Sequence, residues 1–353
     1  MGNKFPQTDL PQGIGGASDQ WDTIQAGVIL TDDFFVPRSP SVVLNTPTDL
    51  ATGVSVTPAL LFTGTDAQLN EIGYQVQVDT LSTFESVAGS SVVLDSHVEA
   101  NRDALTAIDT VTRAGVGQSF TVPTNNYRLL SAQWFLLKVT SPTGNAVAKI
   151  YAHSGTFGAS SVPTGTALAT SNTLDVSTLT GSYQLITFTF SGANQITLQS
   201  GLKYIVSIES TDILTGSVSV GRDGSSPSHA GNWSDLQGGV WASASTVDNI
   251  FYVNGALLVP LLNKLSATPD PTFTGTGDPH PWPSGNQVTY TVQAGDTLTA
   301  STTYYWRVRG IDPLGSNSYG AFSSTQSFTT AAGGGGFTPT PQLHQMLMAS
   351  GMV

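Results

Sequence analysis

Residues 298–310 read LTASTTYYWRVRG, and their second half alternates strictly. Tyr304, Trp306 and Val308 fall on one side, Tyr305, Arg307 and Arg309 on the other. A period of two belongs to a strand with one face buried and one wet. A strand that buries a tyrosine, a tryptophan and a valine in succession needs neighbours on both flanks, so it sits inside a sheet. The stretch just upstream, GTGDPHPWPSGNQVTYTV, provides at most two strands. The missing first strands of this sandwich have to come from elsewhere in the chain.

The rest of the chain has the means to supply them. It is 353 residues long, enough for two or three domains with real cores. Charged residues make up only 10%, and glutamate occurs at just four positions (Glu71, Glu85, Glu99 and Glu209). Long surface helices are built from such residues, so helix is expected to be minor. Val, Thr, Tyr and Phe in short alternating runs, cut by Gly and Pro, predict an all-β protein. A net charge of −12 argues against nucleic-acid binding, which needs a basic footprint. The absence of cysteine rules out disulfides and thiolate metal sites. MGNKFPQTDLPQG carries no apolar export region, and Pro6 stands where a myristoylation motif wants Ser or Thr. The longest apolar run, ALLVPLL at 256–262, is too short to span a bilayer, so no membrane insertion is expected.

From Val42 onward the pattern turns to strands: VVLNTPTDLATGVSV, PALLFTGTD and IGYQVQVDT, with Leu60 and Phe62 on one face and Tyr74, Val76 and Val78 on another. These resemble the first half of a fibronectin type III domain, and the 298–310 stretch resembles its second half. In that family a Leu-x-Pro-x-Thr-x-Tyr pattern leads into strand F. Leu298, Thr302 and Tyr304 hold those spacings here, with Ala300 in place of the proline. The resemblance implies that Tyr304 is a corner tyrosine bonded to nearby backbone, and AFSSTQSFTT at 321–330 looks like strand G. The expected layout is a discontinuous immunoglobulin-like sandwich, 41–86 plus 262–331, split by an inserted domain at 87–261. Insertion at a loop is cheap when the inserted ends lie close together.

The insert reads as eight strands: GQSFTV, LSAQWFLLKVT, AVAKIYA, QLITFTFS, QITL, KYIVSIE, GSVSVG and DNIFYVNG. QSF at 118–120, IYAHSG at 150–155, PTGTALATS at 163–171, LQSGLKYIVSIES at 198–210 and W…DNIFYVNG at 241–255 resemble a jelly-roll module of phage tail proteins and secreted bacterial proteins. Modules of that kind are often classed as carbohydrate-binding-like. Residues 94–114 read as a short helix or an edge excursion. Before the first sandwich lies an extended arm, 1–40, with apolar Trp21, Phe34 and Phe35. After it come a Gly hinge and a C-terminal peptide, 332–353, where Leu343, Met346 and Leu347 share one helical face. Such residues predict docking on a neighbour, against the frayed tail that termini usually form.

Chemistry is sparse. The five histidines (His97, His153, His229, His280 and His344) occupy no nucleophile elbow and read as surface or loop residues. No phosphate loop and no EF-hand loop is present. A catalytic role is not expected. One candidate ligand cluster stands out, Arg222, Asp223, His229, Asn232, Trp233 and Trp241, within a Gly/Ser-rich region. An exposed aromatic face with polar side chains around it suits sugars. The same tryptophans could instead plug one end of the sandwich. The resemblance implies a structural calcium to which Asp248 could contribute, although a turn-capping aspartate is the better explanation of that residue. No other cofactor is expected.

These features together predict a non-enzymatic structural protein of a bacteriophage virion, in a tail fibre, tail tip or head decoration. Its expected partners are other virion proteins, copies of itself and host-surface polysaccharide. It would assemble in the host cytoplasm. The alternatives are a carbohydrate-binding module of a secreted protein or a subunit of an extracellular filament.

Overall fold

Thr303–Ile311, the alternating aromatic strand, lies inside a five-stranded sheet. The computed structural model describes residues 38–333 except 110, 211, 214, 267–271 and 277–279. Trp21, Phe34, Phe35, Leu343, Met346 and Leu347 lie outside the described residues. The sheet runs in the order Ala51–Val54, Gln326–Thr330, Thr303–Ile311, Gly73–Asp79, Leu262–Leu265. Facing it is a second sheet in the order Ser41–Thr46, Ala59–Thr65, Gln287–Thr291, Phe273–Gly275. All pairs are antiparallel except Ala51–Val54 with Gln326–Thr330. This is an immunoglobulin-like sandwich made from two distant pieces of chain. Phe62 and Trp306 are both fully buried and share one hydrophobic core with Tyr74, Trp282, Tyr290 and Phe328. Trp282 is buried against Tyr74, Phe273 and His280.

The corner tyrosine is present. The Thr299 backbone N–H donates to the Tyr304 hydroxyl at 2.8 Å. A matching device closes the insert, where the Gln199 N–H reaches the Tyr204 hydroxyl at 3.3 Å. Both corners span the same interval from a buried leucine, Leu298 or Leu198, to the tyrosine. Each turns on a residue in the left-handed region, Ser301 at φ 52° and Gly201 at φ 70°.

The insert leaves and returns through one junction. Gly73–Asp79 ends on a fully buried carboxylate. Asp79 accepts from the backbone N–H of Leu81 at 3.0 Å, from that of Ser86 at 3.2 Å, and from the Ser86 hydroxyl. Ser86 then pairs with Val259 in register, and a few residues later Leu262 pairs with Val78 of the framework. The two chain crossings therefore run side by side.

The insert is a second sandwich with its own core, centred on Trp134, Phe120, Phe188, Phe190 and Phe251. One sheet runs Val162–Thr170, Asn145–Ser154, Lys203–Ser210, Gly115–Thr121, Trp233–Gln237, Val240–Ala244. The other is organised by Asn126–Thr143, an 18-residue strand. Thr215–Asp223 and Phe251–Val259 follow one another along one of its flanks, and Gln184–Thr189 with Thr197–Leu198 along the other. The eight expected strands all lie in strands. Sequence reading missed Ser86–His97, Ala104–Ile108, Val162–Thr170, Leu174–Asp175 and the hairpin Trp233–Gln237/Val240–Ala244. Residues 94–114 are an edge excursion. Ser86–His97 pairs with Phe251–Val259, a single 3-10 turn follows at Glu99–Asn101, and Ala104–Ile108 then pairs with Thr215–Asp223.

Candidate functional site

The residues singled out in the loop 222–248 do not gather into one site. Asp223 and His229 enter a buried polar network at one end of the insert. The His97 Nε2 lies 3.2 Å from Asp223, and His229 Nε2 lies 3.0 Å from Asp95. The Nδ1 of His229 accepts the backbone N–H of Gly231 at 3.0 Å, so that nitrogen is unprotonated and Nε2 carries the hydrogen given to Asp95. Asp248 accepts from the Gln118 amide at 2.8 Å and from the His229 backbone N–H at 2.9 Å. The Gln118 carbonyl in turn accepts the Asn249 N–H at 2.9 Å. With one hydrogen bond accepted by each carboxylate oxygen, Asp248 pins the loop. Among the described residues no group of three or more His, Asp or Glu side chains is placed to hold a metal. His97 and His229 are thus buried loop fasteners, not the surface residues that the sequence suggested. Burial without these partners would cost several kcal/mol per charged or polar group, roughly 2–7 for a neutral one.

Asn232 ties a separate knot. Its side chain accepts the Ser161 N–H at 3.0 Å and donates to the Ser161 carbonyl at 3.1 Å. His153 Nε2 lies 2.8 Å from the Ser161 hydroxyl, a histidine–serine pair that sequence spacing could not connect. Ser161 is fully buried, and its hydroxyl is also 3.3 Å from the Thr156 carbonyl, so the pair closes a turn. Burial and the charge of Lys203 hold the His153 imidazole below its usual pKa range. Arg222 stays apart from both networks, half-buried, with its Nε unpartnered.

The two tryptophans lie on opposite faces of one sheet. Trp233 is part of the insert core. An exposed sugar platform is therefore excluded for it. The Arg113 guanidinium sits 5.8 Å from its ring. Trp241 is half-exposed on the outer face, where its ring lies 6.3 Å from that of Tyr151. Their strands are four positions apart, or about 19 Å in a flat sheet. The sheet must therefore curl toward its outer face. The trough has a floor of Gly115, Gly117 and Ser119. A methyl group at Gly117 would meet Ser234 Oγ at 2.8 Å and Ile205 Cγ2 at 2.9 Å, so only glycine fits there. Beside Tyr151, Glu209 accepts from the Tyr151 hydroxyl at 2.9 Å, from Ser207 Oγ at 2.8 Å and from Lys149 Nζ at 2.6 Å. Burial, then the Glu209 charge, drive the Tyr151 phenol well above its ordinary pKa. Tyr151 and Glu209 are themselves buried, so Trp241 is the partly exposed member of this cluster. Ser207 and Ser234 lie fully buried beneath it, the Ser234 hydroxyl without a partner.

No protein-family model matches the chain, and no curated protein matches it. What can be said of its class rests on its own architecture, an all-β protein of two sandwiches.

Proposed function

We propose that this chain is a non-enzymatic structural component of a bacteriophage virion, holding to copies of itself and to other virion proteins while displaying its inserted sandwich toward the host surface. The observation that carries this reading is the junction. Ser86 and Val259 are cross-strand partners, and Asp79 fastens the outgoing segment, so a complete second domain projects from one loop position of a framework. A projecting module with its own core can meet a partner without disturbing the sandwich that anchors it. The test is mass spectrometry of purified virions together with antibodies raised against the insert. The chain should be an intact virion component, and insert antibodies should block adsorption. Its absence from particles would defeat the proposal.

A second reading, a glycan-binding module, is favoured by the half-exposed Trp241 ring on the outer face, backed by Tyr151. It predicts that Trp241→Ala abolishes binding on a glycan array while the domain stays folded. Wild-type protein that binds no host polysaccharide would remove that reading and leave the structural one standing.

A further inference from the structure

The outer face of the framework sheet carries a feature that neither reading uses. Arg307 and Arg309 point the same way from Thr303–Ile311. The guanidinium carbon of Arg307 lies 4.0 Å from the Phe84 ring and 4.1 Å from the Phe322 ring. That of Arg309 lies 4.2 Å from the Tyr319 ring and 4.5 Å from Phe322. Phe322 is therefore shared, and three rings alternate with two guanidiniums. Each arginine gives its Nε hydrogen to a glutamine, Arg307 to Gln77 at 2.9 Å and Arg309 to Gln75 at 2.6 Å. Gln75 is itself fixed by Asn263 at 2.7 Å.

Three other cations have carboxylate partners. Arg113 pairs with Asp235, Lys149 with Glu209 and Lys264 with Asp296. Among the described residues neither Arg307 nor Arg309 has a carboxylate within ion-pair distance. The Asp79 charge does act on Arg307, but its oxygens are held by the junction loop. The two guanidiniums repel each other, and the Tyr319 hydroxyl acts on Arg309. Both side chains are half-buried, and that desolvation lowers both pKa values from the usual arginine range.

This arrangement defines what can approach. Rings flank the guanidinium planes, and the Nε edge is taken by glutamine. The edge that remains is the pair of Nη groups, approached in the plane. Two parallel N–H groups in a fixed plane match the two oxygens of a carboxylate. Along a strand the two arginines are about 6.7 Å apart, so successive charges of one polymer can reach both. We propose that Arg309 and Arg307 form a binding site for the carboxylates of an acidic polysaccharide on the outer face of the framework sandwich. The site does not depend on the virion reading, and the two fail by different experiments. The net charge of −12 repels polyanions at long range, but salt screens that repulsion beyond about 8 Å at physiological ionic strength.

Calorimetric titration of the full chain with polygalacturonate, with its methyl ester and with inorganic polyphosphate tests it. Polygalacturonate should bind at physiological ionic strength, where the long-range repulsion is screened. Esterification should weaken binding at least tenfold, and Arg309→Lys should do the same because it keeps the charge and loses the planar fork. Failure to bind polygalacturonate overturns the proposal. So does equal binding of the ester, equal or tighter binding of polyphosphate, or undiminished binding by a folded Arg309→Lys variant. Should that variant misfold, the comparison of acid and ester on the wild-type chain decides alone.

Discussion

At Tyr304 a single hydroxyl replaces a backbone partner that the turning chain cannot supply. Thr299 donates to it at 2.8 Å, and Thr299 is solvent-exposed, so water can partly compensate if the hydroxyl is lost. Tyr304→Phe should therefore cost about 1 kcal/mol, the net worth of one ordinary hydrogen bond. Urea denaturation measures it, and an unchanged midpoint would deny the corner a stabilising role. Ser301, at φ 52° in the same turn, pays for a conformation that glycine adopts freely. Ser301→Gly should raise stability by less than about 1 kcal/mol, because relief of strain outweighs the added freedom of the unfolded chain. Asp49 gives a pH-dependent case. Its carboxylate accepts the backbone N–H of Ser327 at 2.8 Å and its hydroxyl at 3.0 Å, and these bonds lower its pKa below the ordinary aspartate value. A depressed folded pKa adds stability above the unfolded pKa, and that stability is lost as pH falls through the folded value. Asp49→Asn should thus be less stable than wild type at neutral pH, and the gap should close below about pH 4. At this scale the sequence was readable where the interaction is local. The Tyr304 spacing announces a corner. Nothing in the sequence announces that His229 meets Asp95, because the register of several strands decides it.

Elements were legible where a long alternation had a buried face. Thr303–Ile311 and Phe251–Val259 have such a face, whereas Lys203–Ser210 is buried on both. The strands missed have weak patterns for physical reasons. Ser86–His97 is an edge strand, mostly exposed along its middle, so its side chains need not alternate. In Trp233–Gln237 and Val240–Ala244 the strands are five residues each and the link is Gly238–Gly239, with φ 55° and 80°. Two glycines at positive φ make a tight hairpin turn, yet in the sequence they look like a flexible loop. That misreading placed Trp233 and Trp241 in one exposed cluster, whereas Trp233 faces the core and Trp241 the outside. The hairpin makes their energetics diverge. Trp233→Ala should cost about 3–5 kcal/mol, the range for deleting a buried aromatic side chain. Trp241→Ala, on the outer face, should cost well under that. Chemical denaturation followed by near-ultraviolet circular dichroism separates the two. Equal costs would mean that Trp241 is as integral to the fold as Trp233.

For the whole molecule, the decisive fact is that two cores share one chain. The sequence disclosed the framework because its aromatic residues fall into two half-patterns, Phe62 and Tyr74 early, Tyr304 and Trp306 late, that complete each other only as one sandwich. It did not disclose how the halves are stitched, since Asp79, Phe84 and Ser86 form the junction through polar contacts and one left-handed residue, Phe84 at φ 60°. Because Ser86 and Val259 are register partners, their Cα atoms are about 5 Å apart, and a two-residue turn can join them. Replacing 87–258 with Asn-Gly should leave a framework that folds and unfolds cooperatively, since none of its core residues is taken from the insert. Calorimetry of the intact chain should then show two transitions, one matching the excised framework. A framework that aggregates after excision, or a single transition in the intact chain shifted as a whole by Tyr304→Phe, would mean that the insert props up the sandwich from which it projects. The display role depends on that independence, because a domain whose binding events strained the anchor would loosen the assembly it serves.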